Sequence, residues 1–316
     1  GRFPNRVYRK LRGLNALPPV EWLLGPLDAM LGPAYVTWRC SRAAELPVVH
    51  DLSFIRFPES VSWQNLYFLR WNVPRMIKRA ATVVTVSESS RREIAARFDV
   101  PASDVAVVPN GCDHERFGDP DAPRAFDLPP GYLLFVGTRE PRKNLPMVLR
   151  AHEHLSATRA DVPPLVVVGG AGWRGKELES ALERHRLARD VRILGYVPDE
   201  LLAGLYQDAA ALVFPSLYEG FGLPIVEAMA AGCPVVTSDR GAMAEVGGSA
   251  VVAVDPEDHV SIASGIARIL DDPSLRERLV DEGIERARSM SWTRSGEALR
   301  DAVERAVAKK TAAHSR

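Results

Sequence analysis

The sequence predicts an α/β protein built on doubly wound parallel sheets. Short runs rich in Val, Ile and Leu alternate with longer stretches of helical period along most of the chain. These runs, LVVVGG and PVVTSD among them, are apolar at successive rather than alternate positions. A strand that is apolar on both faces needs cover on both, and parallel strands obtain it from the helices that connect them. The length of 316 residues suits two such domains at ~100–200 residues each.

The expected strands of the first part are Ala34–Trp38, Pro47–His50, Thr82–Val86 and Val105–Val108. Those of the second are Tyr132–Val136, Leu165–Val168, Val191–Leu194, Ala211–Phe214, Pro234–Thr237 and Ala250–Val254. Between them fall the helical patterns Glu88–Phe98, Met147–Ser156, Lys176–Arg186, Asp199–Gln207, Ile225–Ala231 and His259–Leu270. Pro273–Ser289 and Trp292–Lys309 follow. Residues 118–131 (GDPDAPRAFDLPPG) carry no apolar period and are punctuated by Pro and Gly, so they read as a linker. The expected division is 1–117, linker 118–131, 132–291, and a final helix over 292–316.

Composition narrows the function. Forty Lys and Arg balance 40 Asp and Glu, which argues against a nucleic-acid partner, since such proteins carry a basic excess. No apolar run approaches the ~20 residues of a membrane span. Cys40, Cys112 and Cys233 have neither zinc-ligand nor redox spacing, which points to a reducing, cytoplasmic setting. A basic amphipathic stretch (Arg2, Arg6, Arg9, Lys10 and Arg12 interleaved with Phe3, Val7, Tyr8 and Leu11) suits either a solvated face or peripheral contact with an anionic inner-membrane surface. For the aromatic and basic stretch Trp63–Arg79, core packing is the expectation.

Ligands of open α/β sheets bind beyond the carboxyl ends of the strands, and the second domain concentrates unusual residues there. Gly137, Arg139 and Lys143 follow its first strand, Gly169, Gly170 and Gly172 its second, and Tyr196 and Val197 its third. The fourth is followed by Glu219, Gly220, Phe221, Gly222, Leu223, Pro224 and Glu227. Gly220 and Gly222 let backbone approach a ligand, and Pro224 suits the first position of a helix. Amides 222–226 at that helix start would bind phosphate without a metal. Glu227, placed in the first helical turn, could accept two hydrogen bonds from a vicinal diol such as nucleotide ribose. Arg139 and Lys143 would stand where a leaving diphosphate gathers charge. Each feature also has a plainer reading: GGAG can close a tight turn, the cations can be surface charges, and Glu245 can brace a loop. Asp119-Pro120-Asp121 mimics a metal-binding pair but lies in the Pro-rich linker, so no metal site is expected.

EGFGLPIVE, with glutamates eight positions apart and AMAAGCPVVTSD following, resembles the EX7E motif of retaining GT-B glycosyltransferases of family GT4. GTREPRKNL is similar to that family's phosphate-binding loop, and VVHDLSFIRFPE, VVTVSESSRREI and VAVVPNGCDHERF resemble its N-terminal-domain signatures. The resemblance implies two Rossmann-like domains facing a cleft and a nucleoside diphosphate sugar as donor, with no cofactor or metal. It places Glu227 at the ribose, Glu219 at hydroxyls of the transferred sugar, and Arg139 and Lys143 at the diphosphate. Gly222 and Leu223 would give backbone contacts, the loop 195–199 would face the base, and His50 would face the sugar from the first domain. It further implies transfer with retention, the leaving phosphate taking the acceptor's proton, so that Glu219 positions and stabilises charge.

The HDLSF variant most resembles bacterial mannosyltransferases, which favours GDP-mannose while leaving UDP-sugars open. The acceptor, whether glycan, lipid-linked or small, is not legible. A nucleotide-sugar epimerase of the same fold and a binding module without turnover are the alternatives. In relatives the HDLSF segment follows earlier strands and a glycine-rich loop, so the first domain is expected to be incomplete, to expose a strand edge, and to bind donor better than it transfers.

Overall fold

The computed structural model describes residues 18–170, 172 and 190–314. It divides into two compact units, Gly1–Pro109 with Thr293–Arg316, and Asn110–Trp292. The basic stretch before residue 18 and the expected helix Lys176–Arg186 lie outside the described residues.

In the first unit, β1 (Ala29–Gly32) pairs in parallel with β2 (Ala44–Pro47), and β3 (Val83–Thr85) with β4 (Val105–Val107). A single parallel bridge, Val48 to Val84, links the two pairs. The expected strand at Ala34–Trp38 is instead a loop. Tyr35 there takes φ 56°, a left-handed conformation that ends an extended run, and strand pairing falls on Ala29–Gly32 instead. The second expected strand is displaced to Ala44–Pro47, with Val48 left in the bridge.

Helices α1 (Trp63–Arg79) and α2 (Glu88–Phe98) each begin at a serine whose side chain accepts an amide hydrogen bond, Ser62 from Asn65 and Ser87 from Ser90. The fully buried residues of α1 lie in its C-terminal half, Val73, Met76 and Ile77 packed with Val49, Phe54, Val83, Ile94 and Val105, while Leu66 and Leu69 of the first half pack partly buried against the same cluster. Trp63 and Tyr67 are 76% and 71% exposed, so the core-packing expectation fails for these two aromatics. The terminal helix α9, Trp292–His314, belongs to this unit from Thr293 on. Its Ala306 is fully buried beside Ala44, Leu46 and Val84.

The second unit has a six-stranded parallel sheet of order β10-β9-β8-β5-β6-β7. Its strands are β5 (Tyr132–Val136), β6 (Leu165–Val168), β7 (Val191–Gly195), β8 (Ala209–Phe214), β9 (Val235–Ser238) and β10 (Val252–Val254). All six fall on the runs read from sequence. Every residue of β5, β6, β8 and β9 is buried, as two-sided helical cover requires. On one face α4 (Leu145–Thr158) and α7 (His259–Asp271) pack through Val148, Leu149, Ile262 and Ile266. Helices α5 (Asp199–Gln207), α6 (Leu223–Ala230) and α8 (Pro273–Arg288) complete the cover.

Residues 118–131 are not a free linker. Short helix α3 (His114–Phe117) and the chain after it lie on α5. There Gln207 donates to the carbonyls of Phe117 and Asp119, and Arg124 pairs with Asp208 at 3.1 Å. The composition of the stretch signals turns, and polar partners on α5 hold those turns in place.

Candidate active site

Strand order reverses between β5 and β8, because β5 continues towards β6 on one side while β8 continues towards β9 on the other. That switch point leaves a crevice at the carboxyl ends of the two strands. The loops after β5 and β8 are those that carry the Arg/Lys and Glu/Gly sequences.

After β5 the chain turns at Gly137 and forms a short 3-10 turn over Pro141–Lys143, ended by Asn144 at φ 65°. Asn144 is 5% exposed, and its Nδ2 donates to the carbonyls of Pro215, 3.0 Å, and Pro256, 2.6 Å. The carbonyl of Arg142 accepts from the Leu217 amide at 2.8 Å. The two loops are thereby laced together through the backbone.

Charges complete the lacing. Lys143 Nζ lies 2.6 Å from Glu219 Oε1, and Arg142 Nη1 donates to Glu219 Oε2 at 2.7 Å. Arg142 also donates to Glu140, 2.9 Å, and to the Tyr218 carbonyl, 3.3 Å. Lys143 Nζ sits 4.8 Å from the Phe214 ring centroid. Burial alone would raise the Glu219 carboxyl, but Lys143 and Arg142 outweigh it and hold it below the usual carboxylate range. Glu219 is therefore an anion shared by two cations. Arg142, which sequence reading passed over, is one of them. The pair of adjacent cations in PRKN was the signal available.

Glycine 169 shows why the next loop has no side chain. A Cβ there would stand 2.0 Å from the Gly137 carbonyl oxygen, and its φ is 134°. The Gly170 carbonyl accepts from the Arg139 amide at 3.0 Å, and the Gly195 carbonyl from the Gly169 amide at 2.7 Å. The loops after β5, β6 and β7 thus meet in backbone contact. Arg139 is 8% exposed. Val197 is buried, and Tyr196 beside it is 77% exposed.

Gly222 caps α6 at φ 102°, a conformation that favours glycine. Leu223 is the first helical residue, so Pro224 stands second. The Ile225 amide turns back to the Gly222 carbonyl at 2.9 Å. Proline has no amide hydrogen and the Ile225 amide is taken, so Pro224 and Ile225 drop out of the run 222–226. Phe221 is 6% exposed and Gly220 is buried. Glu227 lies just past the first turn, not within it. Its Oε2 accepts from the Tyr206 hydroxyl at 2.9 Å. Burial raises its carboxyl, and Asp199 adds to the rise. The Tyr206 hydrogen bond, Arg116 and Lys143 only partly oppose it.

His50 belongs to the first unit. Its Nε2 is 3.1 Å from the Pro33 carbonyl, and its ring is edge-on to Tyr35 at 5.8 Å. The Glu245 carbonyl accepts from Arg286 at 2.6 Å, a bracing contact. Asp119 Oδ1 accepts from the Asp121 amide at 3.0 Å, which closes a turn. Among the described residues, no group of three or more His, Cys, Asp or Glu is arranged to hold a metal ion.

Residues 121–286 match the model of the glycosyl transferases group 1, and residues 30–116 that of glycosyltransferase family 4. The chain is 36% identical over 267 residues to O-antigen chain mannosyltransferase B of Escherichia coli, covering 82% of this chain and 69% of that one. The chain belongs to glycosyltransferase family 4.

It is also 32% identical to a Mycobacterium tuberculosis glycogen synthase, covering 64% of this chain and 49% of that protein. With O-antigen chain mannosyltransferase RfbU of Salmonella typhimurium the identity is 31%, covering 73% and 62%. The chain spans about half to two thirds of most such relatives. Among solved structures, sucrose-phosphate synthase from Thermosynechococcus elongatus superposes with TM-score 0.69 at 25% identity, covering 82% of this chain and 66% of that one. Anabaena HepE in complex with UDP-glucose gives 0.68 at 21%, covering 82% and 72%. The fold is GT-B. In this family 4 glycosyltransferase, the crossed loops at the β5/β8 switch point bring Glu219 and Lys143 together, with Arg142 added. Glu227 stands on α6, behind the same glycine loop. No helix among the described residues is long and apolar enough to cross a membrane.

Proposed function

We propose that this glycosyltransferase moves a hexose, with mannose favoured, from a nucleoside diphosphate sugar to an acceptor with retention of anomeric configuration and without a metal. One observation carries the reading: the Glu219–Lys143–Arg142 cluster is locked into the loops at the switch point of the sheet. Arg142 pairs with Glu140 and Glu219, Lys143 pairs with Glu219, and Arg139 adds a third cation to the same loop against these two carboxylates. The balance is positive, as a leaving diphosphate needs. Glu219 fixes where Lys143 and Arg142 stand. Gly222 and Leu223 supply amides to phosphate oxygens, and Glu227 supplies an acceptor for the ribose diol. As the glycosidic C–O bond to phosphate breaks, its electron pair stays on the diphosphate. The acceptor hydroxyl bonds to the anomeric carbon and gives its proton to the departing phosphate oxygen. GDP-mannose is the favoured donor, in keeping with the mannosyltransferases among the relatives.

The test is a melting panel of GDP-, UDP- and ADP-sugars, with Glu227→Ala as control. Ligand at 100 times Kd adds about 2.7 kcal/mol to stability. If no nucleotide sugar raises the melting temperature of the native protein, the donor site is misassigned. Acceptor-dependent release of nucleoside diphosphate then measures transfer. Release unchanged in Lys143→Ala removes the leaving-group role, and sugar conversion without any acceptor replaces transfer by epimerisation.

A further inference from the structure

Tyr206 lies at the C-terminal end of α5, away from the glycine loop, and no motif singles it out. It is fully buried, with its ring edge-on to Phe117 at 5.8 Å. Its hydroxyl donates to Glu227 Oε2 at 2.9 Å. Burial and the Glu227 charge both push the phenol well above its ordinary range, so it stays a donor. A buried polar group of this kind is costly unless satisfied, and Glu227 is the partner that satisfies it.

The setting is stiff. Gln207, next in the chain, donates to the carbonyls of Phe117 and Asp119, at 3.1 and 2.8 Å. Arg124 reaches both Gln207 and Asp208. The tyrosine is therefore anchored on one helix while Glu227 rides on another, α6. Phenylalanine would fill the same volume and leave Glu227 free to rotate about its own side-chain bonds.

We infer that Tyr206 is a positioning residue for Glu227: its O–H holds Oε2 and fixes the carboxylate so that Oε1 accepts from the ribose hydroxyls of a bound nucleotide. This rests on the ribose reading of Glu227 given above. The hydrogen bond has a second effect. It favours the ionised carboxylate against the burial that raises it, so the acceptor keeps its charge.

The experiment compares GDP and UDP with their 2′,3′-dideoxy counterparts by calorimetric titration, in the native protein, in Tyr206→Phe, and in Glu227→Ala with and without Tyr206→Phe. The native protein should prefer the ribonucleotide by about tenfold or more, the scale of one hydrogen bond to a charged group. Tyr206→Phe should lose most of that preference, leave dideoxynucleotide affinity unchanged, and shift the acidic midpoint of binding upward. In the Glu227→Ala background the tyrosine substitution should do nothing further. A merely structural tyrosine would weaken both nucleotides alike.

Full preference retained in Tyr206→Phe overturns the inference and leaves the ribose reading standing. No preference in the native protein removes both. Should Tyr206→Phe fail to fold, a difluorotyrosine introduced at 206 keeps ring and donor while strengthening the donor. The midpoint must then move down, and an unmoved midpoint rejects the inference.

Discussion

Replacing Glu219 by glutamine keeps the shape of the side chain and removes its charge. The side chains of Glu219, Lys143 and Arg142 are 9%, 11% and 18% exposed. Arg142 retains Glu140 at 2.9 Å, so the main loss falls on Lys143, left as a buried cation without its paired carboxylate. Breaking a buried pair from one side costs ~3–5 kcal/mol. The lower end applies here, about 3 kcal/mol, because glutamine still offers an acceptor. In a unit of this size that lowers the melting temperature by roughly 6–12 °C, read by scanning calorimetry as the transition of the second unit. Removing both charges in Glu219→Gln/Lys143→Met should recover most of the loss, since an apolar replacement of a buried pair is often neutral. The folded Glu219 carboxyl lies below its ordinary value of 4.5. The pair's contribution is therefore complete above about pH 5 and lost as pH falls through the folded value. The gap between native protein and Glu219→Gln should be flat from pH 7 to about 5 and close below. A single variant melting within about 2 °C of native, or a double variant as unstable as both losses summed, refutes the reasoning.

Nucleotide affinity should fall on acidification from a pH above 4.5, because the Glu227 carboxyl is raised and protonation removes its charge while Glu219 stays ionised; titrations from pH 8 to 4 check this, and a midpoint at or below 4.5 contradicts it. Asn144→Ala loses two buried hydrogen bonds to the carbonyls of Pro215 and Pro256 and places alanine at φ 65°. We expect destabilisation of about 2–4 kcal/mol in urea unfolding, with weakened donor binding. Gly169→Ala would push a methyl into the Gly137 carbonyl, and the soluble yield and melting point of that variant should drop sharply. Exhaustive chelation should leave the transfer rate unchanged; a rate restored only by added divalent ion would require a metal.

The second unit was legible because its information is local. Runs such as YLLFV and LVVV specify buried parallel strands by being apolar at every position, and the two less buried edge strands, β7 and β10, also fall on runs read from sequence. The first unit was harder to read. YVTW has the composition of a strand, yet Tyr35 at φ 56° turns it into a loop, and no composition rule reports a backbone angle. Residues 118–131 read as a linker for the same reason: turn-forming residues mark turns but do not say which surface those turns rest against.

At the site, Glu219, Lys143, Gly169, Gly222 and Glu227 could be named from sequence because the loops after successive strands of such a sheet gather at one rim. The sequence alone therefore determined the sheet, its rim and the candidate residues. What only the tertiary structure decided is which of them touch. Arg142 proves to be a second cation on Glu219, and Tyr206, 21 residues before Glu227, is bonded to it. Partners brought together by the crossing of two loops, or by two helices lying side by side, share no spacing or periodicity that a one-dimensional reading could detect.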